Sequence, residues 1–199
     1  MRRFPLIALS ALAIAALAGE ARAARTYGSD IGSVLMPDIG EPTDATGASP
    51  AHTPVPRQIV PYAGPHAPGT IVVSTAERRL YLVMPGAKAM RYGIGVGRPG
   101  FTWGGVQTIT RKAEWPDWRP PAEMLKRRPD LPRFMRGGED NPLGARAMYL
   151  GSTIYRIHGS NEPDTIGQAV SSGCIRMTNE DVADLYERVR VGTTVVVLR

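Results

Sequence analysis

From Thr70 onward the apolar residues fall in the short, bounded runs that β-strands use. Ile71-Val72-Val73-Ser74 and Arg79-Leu80-Tyr81-Leu82-Val83-Met84 are β-branched and aromatic stretches separated by Thr75-Ala76-Glu77-Arg78, a spacing that predicts a hairpin. A third run, Met90-Arg91-Tyr92-Gly93-Ile94-Gly95-Val96-Gly97, follows the Pro85-Gly86 turn. Ala147-Met148-Tyr149-Leu150 and Thr153-Ile154-Tyr155-Arg156-Ile157 predict two further strands, the second ending at His158, where Gly159 lets the backbone turn. Thr193 to Leu198 reads as a buried terminal strand after a turn at Gly192. The clear helical period lies between these last two strands. Val182, Leu185, Tyr186 and Val189 recur at three- and four-residue spacing behind Thr178 as N-cap, with Asp181 three residues on, so a helix is predicted from Asn179 to Arg190. Short strands joined by tight turns predict a mainly β domain.

Two other textures flank this pattern. Met1-Arg2-Arg3, an apolar run from Leu6 to Ala18 and the small-x-small triplet Ala21-Arg22-Ala23 predict a cleaved secretory signal over residues 1–23, the run being too short to be a comfortable membrane span. Residues 24–68 are dense in Pro, Gly, Ser, Thr, Asp and Ala and predict a flexible linker. The β domain then occupies 69–199. Within it, Trp103 to Gly138 is rich in Trp, Pro and charge and reads as a long irregular excursion with one short helix near Ala122–Arg127, the sort of insertion that often forms a binding loop or lid. Gly93, Gly95 and Gly97 sit in a strand pattern with no helix opening after them, so they argue for close backbone packing and against a phosphate loop.

Composition narrows the function. The 199 residues carry a formal net charge of +6, but the basic residues are interspersed with acidic ones and form no nucleic-acid recognition motif. His52 and His66 lie beside prolines without a cysteine or acidic cluster at ligand spacing, so no metal site is expected. Cys174 is the sole cysteine, which rules out an internal disulfide and leaves no resolving thiol for redox cycling.

Candidate chemistry therefore converges on Cys174 and on His158, the only histidine outside the linker. A thiol is a strong nucleophile only after losing its proton, and an imidazole within reach can take that proton and later protonate a leaving amine. Cys174 lies just ahead of the predicted helix, and Gly173 beside it permits close approach of a substrate to backbone amides. Arg176, two residues on, suits either a substrate carboxylate or a lock on the loop. Ser160 and Ser171 suit either hydrogen bonds to a substrate or turn caps.

The block His158-Gly159-Ser160-Asn161-Glu162-Pro163, with Thr165-Ile166-Gly167, Ser171-Ser172-Gly173-Cys174-Ile175-Arg176-Met177 and Asn179, closely resembles the signature of the L,D-transpeptidase catalytic domain, the YkuD-type cysteine enzymes of bacterial cell walls. The resemblance covers roughly Thr70 to Arg199. It implies a YkuD-like β-sandwich with a short helix beside the catalytic cysteine segment and a loop excursion over the cleft. It also implies that Cys174 attacks the carbonyl preceding the terminal D-alanine of a peptidoglycan tetrapeptide stem, that D-alanine leaves, and that the resulting thioester passes to an amine of a neighbouring stem or of an envelope protein. His158 would be the general acid/base, oriented through a backbone carbonyl near Gly159. The backbone amides near Ser172, Gly173 and Cys174 would form the oxyanion hole. Arg176, Ser171, Ser160, Asn161, Trp115 and Trp118 would contact substrate, with no cofactor and no metal, in the periplasm. Two positions depart from common versions of the pattern: Gly159 replaces a serine after the histidine, and Ser172 replaces a histidine before the Gly-Cys pair. The rival readings are a carboxypeptidase or amidase passing the same thioester to water, and a wall-binding module without catalysis.

Overall fold

The computed structural model describes residues 55–199. The predicted signal segment and all but the end of the predicted linker lie outside the described residues. The linker's last part does not behave as a spacer: Gln58–Pro61 forms a strand, β1, paired antiparallel with β4 (Lys88–Gly93). Just before it, Arg57 Nη1 lies 3.4 Å from Asp181 Oδ1 and 3.6 Å from Asp184 Oδ2, both on the main helix, so the ordered domain begins by Arg57.

The predicted hairpin is present as β2 (Ile71–Ser74) and β3 (Arg79–Met84), in antiparallel register with Ile71 opposite Leu82 and Val73 opposite Leu80. β4 follows antiparallel to β3. The run predicted as one strand to Gly97 breaks after Gly93, and Val96–Gly97 becomes β5, which leaves the large sheet and pairs with β9 (Ala169–Ser171). The break brings Gly95 onto Arg176, each amide bonding the other's carbonyl at 2.9 Å.

The centre of the large sheet is β11 (Thr194–Leu198), parallel to β2 and antiparallel to β6 (Gly105–Glu114). β6 corrects the reading of Trp103–Gly138 as wholly irregular. It is ten residues long, and the excursion begins only after it. β7 (Arg146–Leu150), β8 (Arg156–His158) and β10 (Ile175–Arg176) complete a nine-stranded sheet in the order β1-β4-β3-β2-β11-β6-β7-β8-β10. Ile71, Leu80 and Tyr92 from one arm share a single buried cluster with Met148, Ile157 and Ile175 from the other, so the sheet curls around its own core as a mainly β fold. Each such side chain withdrawn from water contributes about 1.5–3 kcal/mol.

Two α-helices occur among the described residues. The short helix predicted in the excursion is α1, Ala122–Arg127. The main helix is α2, Asn179–Arg188, which starts where its cap predicts: Thr178 Oγ1 accepts from the Asp181 amide at 3.1 Å. Val182 and Leu185 face the core. At the far end, Lys112 of β6 donates to the carbonyls of Tyr186 and Val189 at 2.6 and 2.7 Å, occupying acceptors that the helix leaves open and placing a cation at the negative end of its dipole. With α2 so fixed, the segment leading into it, which carries Cys174, is held at the sheet's edge.

Candidate active site

His158 and Cys174 reach one place because two short strands pair in parallel. β8 ends at His158 and β10 begins one residue after Cys174; Ile157 lies opposite Ile175 and His158 opposite Arg176. The Met177 amide donates to the His158 carbonyl at 2.9 Å and extends the pairing. Cys174 is half-buried and His158 is only 4% exposed, and both line a cleft of about 310 Å³. Trp118, Pro121, Met124 and Arg127 of the excursion form one wall of that cleft.

The imidazole is held by its neighbour's backbone. His158 Nδ1 lies 2.6 Å from the Gly159 carbonyl oxygen, which can only accept, so Nδ1 carries the proton and Nε2 carries the lone pair. Burial lowers the imidazole's pKa to about 3, the guanidiniums of Arg176 and Arg156 push the same way, and the Gly159 carbonyl opposes them in part. His158 is thus neutral across the physiological range, in the state a general base requires. The position after the histidine also has no room for a side chain. A Cβ on Gly159 would lie 2.3 Å from Asn179 Oδ1 and 3.1 Å from the Ala145 nitrogen, and that Asn179 oxygen accepts the Ala145 amide at 2.9 Å. The serine of the common pattern would displace this knot, and its absence leaves the orienting carbonyl in place.

The cysteine turn is fastened at three points. Ser171 Oγ accepts from the Gly173 amide at 3.1 Å and donates to the Cys174 carbonyl at 2.6 Å. Trp103 Nε1 donates to the Gly173 carbonyl at 2.7 Å. The Trp103 indole in turn stacks on Tyr155, 4.5 Å between centroids and 4° from parallel, and Tyr155 occupies the space beside Gly173, whose φ is +106° and whose Cβ would lie 2.5 Å from Tyr155 Cε1. Only glycine meets both conditions at low cost.

This geometry narrows the expected oxyanion donors. The Gly173 amide is committed to Ser171, so it is not available to a substrate. The amide of Cys174 itself remains. A trans peptide holds its C=O and N–H in opposite directions, so anchoring the Gly173 carbonyl on Trp103 aims the Cys174 N–H away from that indole. Ser172 lines the cleft with its hydroxyl buried and without a partner.

The other predicted residues divide. Arg176 lines the cleft but its Nη1 is held 3.0 Å from Glu162 Oε2, which favours the locking role over binding. Ser160 is buried with its hydroxyl accepting the Glu162 amide at 2.9 Å, a turn cap. Asn161 is exposed, donates to the Asp140 carbonyl and does not line the cleft. Trp118 lines the cleft; Trp115 does not, and stands 42% exposed at the start of the excursion. Trp103, Tyr155 and Asn179 carry positioning roles that the sequence signals only as aromatics near the motif and as the motif's last residue.

A half-buried thiol and a neutral imidazole fixed by a carbonyl, set in one cleft on a curled β-sheet, are the parts of a thiol-dependent acyl-transfer site. Comparison with known proteins gives the class its family: the chain belongs to the L,D-transpeptidase catalytic domain family of YkuD type, whose pattern matches residues 68–197. It is 42% identical over 137 residues to the Escherichia coli (strain K12) protein named probable L,D-transpeptidase ErfK/SrfK, an alignment covering 64% of this chain and 43% of that protein. It is 32% identical over 133 residues to YqjB of Bacillus subtilis (strain 168), also given an L,D-transpeptidase name, covering 64% of this chain and 69% of that one. The crystal structure of L,D-transpeptidase 3 from Mycobacterium tuberculosis superposes with a TM-score of 0.54 at 19% identity, over 65% of this chain and 60% of that one, and shares the fold. The chain spans less than half the length of the ErfK/SrfK relative.

Proposed function

We propose that this domain is a peptidoglycan L,D-transpeptidase with Cys174 as nucleophile and His158 as general acid/base. The observation that carries the reading is the Nδ1–H contact of His158 with the Gly159 carbonyl at 2.6 Å, which leaves Nε2 basic in the cleft that holds the chain's single thiol. Nε2 takes the Cys174 proton as sulfur attacks the carbonyl before the terminal D-alanine. The oxyanion forms beside the Cys174 amide and the Ser172 hydroxyl. The tetrahedral intermediate collapses, the C–N bond breaks, and the proton on Nε2 passes to the departing D-alanine amine. An acceptor amine then attacks the thioester, gives its proton to Nε2, and displaces the thiolate, which recovers that proton. A buried imidazolium next to Arg176 and Arg156 is unfavourable alone and is tolerated when thiolate or oxyanion charge forms beside it.

The low exposure of His158 fits a site that works with little bulk water and so favours amine acceptors. The acceptor is an amine of another stem or of an envelope protein, and the setting is the periplasm, reached through the N-terminal signal segment.

The test is mass spectrometry of the products after incubating the protein with a purified disaccharide-tetrapeptide. A dimer lacking one D-alanine supports the reading, while tripeptide monomer alone indicates transfer to water. Cys174→Ala and His158→Ala are expected to lower turnover at least a thousandfold with the fold retained. Full activity in either variant overturns the mechanism.

A further inference from the structure

The turn after β5 sets Phe101 in the cleft lining with the Arg98 guanidinium over its ring. Arg98-Pro99-Gly100-Phe101 closes with the Phe101 amide donating to the Arg98 carbonyl at 2.9 Å; proline at the second position and Gly100 at φ +85° are what a rigid type II turn uses. The turn is tied to the cysteine segment, because the Arg98 amide donates to the Ser171 carbonyl at 3.0 Å. The excursion's helix α1 ends at Arg127. The guanidinium carbons of Arg98 and Arg127 lie 4.5 and 5.1 Å from the centroid of the Phe101 ring, and both Phe101 and Arg127 line the cleft.

Neither guanidinium has an acidic partner among the described residues. The acid best placed for Arg127 is Glu123, one helical turn back, and it is engaged by Lys126 at 2.8 Å instead. A cation at a helix C-terminus and an arginine over a phenyl ring are each favourable alone. Two like charges brought to one ring are not explained by either effect. Partial burial and the neighbouring Arg127 both lower the pKa of Arg98, so a bound anion would relieve a charge that the fold disfavours. Of the other arginines lining the cleft, Arg176 is paired with Glu162, and Arg156 donates to the Ile154 carbonyl and lies over the Tyr149 ring.

We propose that Arg98 and Arg127, set about Phe101, form a carboxylate subsite that selects stem peptides bearing a free carboxylate. This rests on the peptidoglycan reading of the site. Guanidinium suits the role because it meets both oxygens of a carboxylate in one plane.

The experiment compares kcat/KM for tetrapeptide donors whose carboxylates are converted one at a time to carboxamides, in the wild-type protein, R98Q, R127Q and the double variant, each checked by its melting temperature. One amidation is expected to lower the wild-type value at least tenfold. The double variant should lose a similar factor on the free-carboxylate peptide and lose nothing more on the amidated one, with R127K falling between. Wild-type discrimination retained in the double variant overturns the subsite, as does a wild-type protein indifferent to every amidation. If the wild type turns over no stem peptide, the transpeptidase reading fails separately. Calorimetric binding of the same peptides to the Cys174→Ala protein then decides the subsite: arginine-dependent preference for the free carboxylate supports it, and equal binding overturns it.

Discussion

Replacing Trp103 by phenylalanine isolates one hydrogen bond in the cysteine turn. Phenylalanine can keep an aromatic face against Tyr155 but cannot donate to the Gly173 carbonyl, a contact of 2.7 Å in the native protein. A single hydrogen bond of this kind contributes a net of about 0.5–1.5 kcal/mol to stability, so the variant should fold and melt only a few degrees lower. The effect on reaction should exceed the effect on folding if, as proposed, the N–H of that same peptide serves the oxyanion. Outright loss of an oxyanion donor costs about a hundred- to a thousandfold in rate. Here the donor survives and loses its anchor, so a fall of about five- to fiftyfold in acylation is expected, below that ceiling. The assay is the rate at which a carbapenem acylates Cys174, followed by intact mass, beside the rate at which iodoacetamide alkylates it. Alkylation forms no oxyanion and reports only the thiol's access and proton loss. The ratio of the two rates should fall in Trp103→Phe while alkylation changes less than twofold. Equal ratios in variant and wild type would refute the assignment, and a parallel fall in both would mean that Trp103 holds the thiol and not its amide.

Other expectations concern His158 and the carbonyl that orients it. With its pKa lowered from 6.5 to about 3, the folded protein resists protonating His158, whereas the unfolded chain protonates it below 6.5. Stability from this group is therefore complete above pH 6.5 and declines as pH falls toward 3, and denaturant midpoints at pH 7 and 4.5 should show a drop that His158→Asn makes shallower. Acylation should show no inflection from imidazole protonation between pH 8 and 5; an NMR titration in which the assigned His158 imidazole protonates near 6.5 in the free protein would contradict this. Gly159→Ala should destabilise by about 1–3 kcal/mol through the clash with Asn179 Oδ1. Its acylation rate should fall as well, as the His158 ring loses its carbonyl, and an unchanged denaturant midpoint would show that Asn179 can simply give way.

What the sequence made legible was local. The β2–β3 hairpin, the Thr178 cap of α2 and the placement of His158 at a strand end each depend on residues within one turn or one hairpin. What it hid was pairing between distant segments. β6 carries the β-branched run Val106-Gln107-Thr108-Ile109-Thr110 but buries only Ile109, so no apolar face marks it as a core strand; β11 and β7, from far along the chain, hold both its edges. β9 and β10 are three and two residues long, too short for any period to register. β1 lies in proline-rich sequence and depends on β4 for its ladder.

The same distinction runs through the site and explains which residues changed role. Cys174 and His158 were legible because their chemistry is intrinsic to their side chains. The donors around them were not, since a backbone amide serves an oxyanion only if nothing else has claimed it. Ser171, predicted as a substrate contact, uses its hydroxyl to close the turn, and in doing so takes the Gly173 amide out of the oxyanion hole. Arg176, open between binding and locking, sits opposite His158 in the β8–β10 register with its guanidinium held by Glu162. One step of parallel pairing thus accomplishes two things: it brings the cysteine segment to the histidine, and it places a cation whose field, with burial, keeps that histidine neutral until negative charge appears beside it. Breaking the Arg176–Glu162 pair should accordingly disturb the timing of proton transfer as well as the loop, and Glu162→Gln is the milder way to separate them, because it keeps the shape of the contact and removes only its charge.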